Sequence, residues 1–189
     1  ILSHAEVRES LARLETSDVL LTNCTSDAQI LQSMWGEEPE AGPLVRQIKL
    51  PIDASILYPQ DKAECRELLP LPECDLVVGF ISRLLPQKNL HQFLRLFAKV
   101  KQNLLPKKVA AVVVGDYWVD YPVLPYVTRA YRAYIADLIT TLELTEDVVY
   151  LPADLSNEDL AAVYNSFDVL VHPTTSIDEN FGYVPIEAM

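Results

Sequence analysis

Residues 172–189, His172-Pro-Thr-Thr-Ser-Ile-Asp-Glu-Asn-Phe-Gly-Tyr-Val-Pro-Ile-Glu-Ala-Met189, decide the fold together with the apolar run Asp168-Val-Leu-Val that precedes them. The apolar run is typical of a buried strand, and the polar residues from Thr174 to Asn180 predict a loop. Gly182 permits a tight backbone, and Pro185 fits the first turn of a helix, where its missing amide hydrogen is tolerated. The stretch therefore predicts a strand, a loop and a helix N-terminus in succession.

The predicted helix N-terminus has features of a ligand site. Backbone amides near Phe181, Gly182 and Tyr183 would point into the loop at the positive end of the helix dipole, which favours an anion. Glu179 and Glu187 bracket this point, with seven residues between them. Because carboxylates accept hydrogen bonds from hydroxyl groups, this pair indicates a site for a sugar or a ribose.

Upstream of this stretch, apolar runs alternate with amphipathic segments. The continuous apolar run over residues 76–81 is typical of a parallel strand covered on both faces, and residues 109–114 predict the next buried strand. Residues 148–151 predict a further strand. Periodic apolar residues predict helices over about 90–104 and 131–142, and Ser156 with Asp159 predicts the start of another. The alternation predicts an α/β fold with a Rossmann-like, doubly wound, mainly parallel sheet, in which ligands bind at the carboxyl ends of the strands.

The first fifty residues predict shorter elements. Apolar spacing indicates a helix over about 4–16, a short buried strand over 18–23 and a second helix capped by Thr25 or Ser26. A strand over 45–50 ends at Pro51.

Composition narrows the function classes. The net charge of −12 and the pI of about 4.6 argue against a nucleic-acid partner and against docking on anionic lipid. The sequence has no apolar run long enough for a membrane span, and we expect no signal peptide. Three cysteines without metal-ligand spacing indicate reduced thiols, so we expect a cytoplasmic protein.

The residues around the two glutamates resemble the E-x7-E signature of retaining, family 4 nucleotide-sugar glycosyltransferases with two Rossmann domains, the GT-B type. That family typically reads Glu-Gly-Phe-Gly and then Glu-Ala-Met. Residues 179–182 and 187–189 match this pattern, except that Asn180 replaces a glycine. The resemblance implies the donor-binding C-terminal half of such an enzyme.

A second segment, Gly79-Phe-Ile-Ser-Arg-Leu-Leu-Pro-Gln-Lys-Asn89, resembles the family's Gly-Arg-Leu-x-x-x-Lys-Gly loop. Arg83 and Lys88 keep the spacing, whereas Ser82 and Asn89 replace glycines. The resemblance implies that Arg83 and Lys88 hold the donor diphosphate, where fixed cations stabilise the charge that develops on a leaving group. The sequence has no Asp-x-Asp triplet, so we expect no metal ligands and no cofactor.

The remaining roles also follow from the resemblance. Arg83, Lys88 and Glu179 are the expected catalytic residues, with Glu179 on the sugar. The expected donor-binding residues are Glu187 on the ribose, Asn180, Phe181 and Gly182 on the sugar, and Gly115 and Leu151 at strand ends. Gly115 fits a plain turn almost equally well, and His172 fits either a substrate contact or a structural position.

The domain organisation is predicted from a looser resemblance. Leu50-Pro-Ile-Asp53 followed by Leu57-Tyr-Pro59 is similar to the family's interdomain linker. Residues 1–50 are then the tail of an N-terminal acceptor domain, and residues 51–189 are a nucleotide-sugar-binding domain that is incomplete at its C-terminus. We expect such a chain to bind the donor without transferring it.

The predicted reaction transfers a sugar with retention and without metal to an unidentified glycan, lipid or small molecule. The alternatives are a non-catalytic nucleotide-binding module and a sugar-nucleotide epimerase on the same fold. A phosphorylase would need a pyridoxal-bearing lysine, which no motif here displays. An NAD-dependent enzyme would need a Gly-x-Gly-x-x-Gly run, which the sequence lacks.

Overall fold

The computed structural model describes residues 5–35, 42–117, 128–174 and 182–189. The chain divides into two compact units, one up to Pro51 and the other from Ile52 onward. The first unit contains α1 (Ala5–Leu11), β1 (Val19–Thr22), α2 (Thr25–Ser33) and β2 (Leu44–Gln47). The second contains α3 (Lys62–Glu67), β3 (Leu76–Ile81), α4 (Leu90–Asn103), β4 (Val109–Val114), α5 (Thr128–Thr141), β5 (Val148–Leu151), α6 (Asn157–Ser166), β6 (Val169–Leu170) and α7 (Tyr183–Glu187).

The first unit differs from its sequence prediction in four respects, the first being that the strand predicted over 45–50 begins at Leu44 and ends at Gln47. The first helix ends at Leu11, earlier than expected, and α2 is capped by Cys24, whose Sγ accepts a hydrogen bond from the Asp27 amide at 3.3 Å. The strand β1 is not buried, since Val19 and Leu21 are more than half exposed. Successive side chains of a strand point to opposite faces, and α2 packs against this sheet. Val19 and Leu21 therefore lie on the face of the sheet opposite to that of the buried Thr22.

The second unit is built on a parallel sheet, which confirms the predicted α/β class. Its described strands lie in the order β5-β4-β3-β6, and each neighbouring pair is parallel. The chain passes outward from β3 to β5 and then returns to place β6 on the other side of β3. The strand order reverses between β3 and β6, so the loops that leave these two strands diverge there, as in the ligand-binding crevice of open α/β sheets.

Apolar side chains cover both faces of this sheet. One buried cluster joins β3 and β4 to α4 and α5, with Phe80, Phe93 and Ile135 among its members. A second cluster joins the same strands to α6 through Val112 and Phe167. Each fully buried side chain of this size contributes roughly 1.5–3 kcal/mol. Burial on both faces explains why β3 and β4 are continuous apolar runs in the sequence.

The helix α3 was not predicted from the sequence. Among its residues only Cys65 is buried, so the segment shows no apolar period. Its start is marked instead by Asp61, whose carboxylate accepts hydrogen bonds from the backbone amides of Ala63 and Glu64. An Asp at the N-cap is the signal that could have revealed this helix.

Asp168, directly before β6, connects three elements of the second unit. Its carboxylate accepts hydrogen bonds from Lys62 Nζ at 2.9 Å, from the Val77 amide at 2.7 Å and from the Arg66 guanidinium. Burial alone would raise the pKa of this carboxyl, but the bonds from Val77, Lys62 and Arg66 outweigh it and hold the pKa below its ordinary value. The ionised Asp168 therefore ties α3 and β3 to the start of β6.

We expect the variant Asp168→Asn to lose about 1.5–3 kcal/mol of unfolding free energy at neutral pH, because it weakens charge-assisted hydrogen bonds. A depressed folded-state pKa contributes stability that is present above the unfolded value of about 3.9 and is lost as the pH falls through the folded value. The difference between wild type and variant should therefore shrink below about pH 4 in urea unfolding.

Asp75→Asn is the matched control, because Asp75 is exposed and accepts one backbone bond, from the Lys108 amide at 2.8 Å. Its loss should be the smaller of the two. A difference for Asp168→Asn that stays constant from pH 7 to pH 3 would contradict the assigned role of the charge.

Candidate functional site

Three basic side chains lie close together where β3 and β6 end. Arg83 follows β3 and is exposed, Lys88 ends a short turn of 3-10 helix over Pro86–Lys88 and is 8% exposed, and His172 follows β6. Burial lowers the pKa of Lys88, and the nearby charge of Arg83 lowers it further. Burial also lowers the pKa of His172, and the charge of Lys88 adds to the effect. Arg83 and Lys88 thus lie at the point where the strand order reverses, beside a histidine whose lowered pKa favours its neutral form.

The Arg83 loop continues the pairing between β3 and β4. The Ser82 amide donates to the Val114 carbonyl and the Leu84 amide donates to the Asp116 carbonyl, each at 3.0 Å. The side chain of Leu84 is buried below the loop. The residues on both sides of Arg83 are therefore held by backbone hydrogen bonds to Val114 and Asp116.

Gly115 has a structural reason for its identity. Its φ is +143°, and a Cβ built there would lie 1.9 Å from the Ser82 carbonyl oxygen. A side chain at this position would force apart the loops that follow β3 and β4. Contact between Gly115 and a donor stays a prediction.

Asn89 stands where the similar family has a glycine, and its backbone conformation explains why asparagine is accepted there. Its φ and ψ of 59° and 35° lie in the left-handed region, which asparagine tolerates better than most residues. Its side-chain amide donates to the Pro173 carbonyl at 2.9 Å. Thr174 Oγ1 donates to the Gln87 carbonyl at 3.3 Å. The substitution thus keeps the backbone conformation and joins the β3 loop to the residues after β6.

The predicted residues Glu179, Asn180 and Phe181 lie outside the described residues. Gly182 has a φ of +70° and precedes α7, so the predicted tight backbone and helix start are both present. Glu187, the last residue of α7, accepts a hydrogen bond at Oε2 from the Tyr164 hydroxyl at 2.5 Å. No sequence pattern indicates this contact, because Tyr164 fits an ordinary core position of α6.

Leu151 ends β5 and lies near the Gly115 turn. Its carbonyl oxygen accepts a hydrogen bond from the Gly115 amide at 3.1 Å, which continues the sheet by one residue. The Ala153 amide donates to the Asp116 carboxylate at 3.2 Å. The loop after β5 is therefore attached to the loop after β4. The expected contact of Leu151 with the donor stays a prediction.

Within residues 5–35, 42–117, 128–174 and 182–189, no three His, Cys, Asp or Glu side chains gather closely enough to hold a metal ion. The helices in the same ranges are too short or too polar for any of them to cross a membrane.

A parallel sheet covered on both faces, with basic side chains where its strand order reverses, defines an open α/β protein whose ligand crevice lies at that reversal. The comparison with protein families is more specific, since the model of the family described as Glycosyl transferases group 1 matches residues 61–189. The chain belongs to this family.

The names of similar proteins are consistent with this family. A protein named D-inositol 3-phosphate glycosyltransferase from Stackebrandtia nassauensis is 30% identical over 177 residues. The alignment covers 91% of this chain and 36% of the relative, so the chain spans about a third of that protein's length.

Solved structures show the same fold. Sucrose-phosphate synthase from Thermosynechococcus elongatus superposes with a TM-score of 0.71 at 24% identity, over 99% of this chain and 42% of that one. The pneumococcal O-GlcNAc transferase GtfA, solved with UDP and GlcNAc, gives 0.64 at 15% identity, over 90% and 28%. The fold is that of GT-B glycosyltransferases.

The left-handed conformation of Asn89 predicts an order of stability among its variants. Asn89→Ala loses the bond to Pro173 and places an ordinary residue in the left-handed region, at a cost of about 1–2 kcal/mol. Asn89→Gly loses the same bond but keeps the backbone conformation freely accessible. Urea unfolding should therefore rank wild type above Asn89→Gly and Asn89→Gly above Asn89→Ala. Equal stability of the two variants would contradict the assigned conformation.

Proposed function

We propose that this chain is the donor-binding part of a glycosyltransferase that uses a nucleotide-diphosphate sugar, retains the anomeric configuration and needs no metal ion. The observation that carries the proposal is the position of Lys88. This cation is buried beside Arg83 at the crevice where ligands bind in open α/β sheets.

A diphosphate fits the chemistry of this position. Burial and the charge of Arg83 both disfavour the charged form of Lys88, and an anion bound between them offsets both effects. Arginine offers a planar fork for two phosphate oxygens and lysine offers a compact charge. As the glycosidic bond breaks, charge grows on the leaving diphosphate, so fixed cations stabilise the transition state more than the ground state.

The ribose is assigned to Glu187 and the sugar to Glu179. Glu187 belongs to the short helix that begins after Gly182, and its carboxylate can accept hydrogen bonds from neighbouring hydroxyl groups. Glu179 keeps the family spacing of seven intervening residues. Retention is supported by the family resemblance of this E-x7-E pattern.

The names of similar proteins support a sugar-nucleotide donor more than any one acceptor. The pneumococcal structure contains UDP and GlcNAc, whereas other relatives are named for inositol 3-phosphate and for sucrose phosphate. These names differ on the acceptor side. We therefore assign a sugar-nucleotide donor to this chain. The acceptor is a glycan, a lipid or a small molecule.

Arg83→Ala and Lys88→Ala test the phosphate assignment. Each removes a hydrogen bond to a charged group, worth roughly 1.5–3 kcal/mol, so affinity for a nucleoside diphosphate should fall about tenfold or more. Affinity for the bare nucleoside should barely change. Isothermal titration with UDP, GDP and ADP and with their nucleosides measures both quantities.

Lys107→Ala is the matched control, because it removes the same charge from an exposed lysine. Lys107 precedes β4, at the amino ends of the strands, whereas the candidate site lies at their carboxyl ends. It should leave both affinities unchanged. Equal losses for nucleoside and diphosphate in the Arg83 and Lys88 variants would show that these residues support the fold instead of the phosphates.

Chelation tests the metal-free part of the proposal. Because Arg83 and Lys88 supply the positive charge in our assignment, binding of the same nucleoside diphosphates should be unchanged by EDTA. Titration with and without the chelator, followed by addition of Mg²⁺ or Mn²⁺, measures the effect. Binding that disappears with EDTA and returns with either metal ion would overturn metal independence.

A further inference from the structure

The contact between Tyr164 and Glu187 joins a core residue to a residue of the proposed donor site. Tyr164 lies on α6 and is 8% exposed, and its hydroxyl donates to Glu187 Oε2 at 2.5 Å. A carboxylate can only accept, so the tyrosine must be the donor. Burial raises the pKa of Tyr164, and the hydrogen bond and charge of Glu187 raise it further. The hydroxyl thus stays protonated and remains a donor at neutral pH.

The tyrosine is held firmly on its own helix. Ser156 caps α6 by accepting from the Asp159 amide at 3.0 Å. The ring of Tyr164 packs edge-on against Phe167, with centroids 6.4 Å apart, and both residues belong to one buried cluster. The position of its hydroxyl is therefore set by the core of the second unit.

Glu187 lies on α7, which begins directly after Gly182. Val184 of the same helix packs on the buried cluster that contains Tyr164. The tyrosine hydroxyl bonds to the Glu187 carboxylate directly, so the orientation of this carboxylate is set from the core of the second unit.

We propose that Tyr164 is a positioning residue for ribose recognition, which holds Glu187 Oε2 so that the remaining lone pairs of the carboxylate meet the ribose hydroxyls. This inference rests on the proposed function, which assigns Glu187 to the ribose. A carboxylate pre-oriented by a buried donor loses less rotamer freedom when the ligand binds, so the gain appears as affinity.

The variant Tyr164→Phe tests the inference, because it removes one oxygen and keeps the ring that fills the core. UDP, GDP and ADP are each titrated beside their 2′,3′-dideoxy analogues, which lack the hydroxyls that Glu187 is proposed to bind. We expect about a tenfold loss of affinity for the diphosphate that binds wild type best, and no loss for its dideoxy analogue.

Tyr131→Phe is the matched control. Tyr131 is also 8% exposed, and its hydroxyl is also hydrogen-bonded, to His91 Nδ1 at 3.2 Å. Thermal unfolding without ligand should show comparable losses for the two variants, whereas only Tyr164→Phe should change the preference for ribose over dideoxyribose.

The outcomes separate this inference from the proposed function. Equal losses for the ribose and dideoxy ligands, or no loss for either, would overturn the positioning role while leaving donor binding intact. A Tyr164→Phe protein that fails to fold would also overturn it, since the hydroxyl would then serve the fold. If wild type binds none of the three diphosphates, the proposed function itself fails, and the role of Tyr164 fails with it.

Discussion

The structure depends on the pairing of β6 with β3. The two strands share only a short register, Val78 with Val169 and Gly79 with Leu170. Backbone bonds from Asp168 to the Val77 carbonyl and from Val171 to the Gly79 carbonyl, each 2.9 Å, extend it. The Asp168 carboxylate adds the bond to the Val77 amide and the links to α3. This pairing brings the Lys88 loop next to His172, although the two are far apart in sequence.

Close packing restricts the residues that can occupy this junction. A Cβ on Gly79 would lie 2.2 Å from the ring of Phe167, and a Cβ on Gly115 would meet the Ser82 carbonyl. Glycine is therefore required in the centre of β3 and at the end of β4 for different reasons, one a side-chain contact and the other a backbone contact. Both contacts allow neighbouring elements to approach closely, so both help to fix the loops of the candidate site.

Elements of the fold could be predicted where the sequence contains a continuous apolar run or a typical capping residue. The strands β3, β4 and β5 match their apolar runs, and Ser156 caps α6 as expected. The helix α3 and the Cys24 cap were missed, because one has almost no buried face and the other uses a thiol where oxygen is usual. Within the candidate site, Arg83 and Lys88 were predicted from the resemblance of their loop to that of the family, and their role stays a prediction. The bond from Tyr164 to Glu187 depends on how α6 and α7 pack, which no local pattern encodes.

The grouping of Arg83, Lys88 and His172 sets stability against function. Burial and the charge of Arg83 both disfavour the charged form of Lys88 and lower its pKa. Burial and the charge of Lys88 do the same for His172. A neutral side chain in place of Lys88 would remove this electrostatic penalty, but it would also remove a cation from the proposed phosphate site. The groups that would bind an anion are therefore held in an arrangement that their own electrostatics oppose, as is common where residues are retained for function instead of stability.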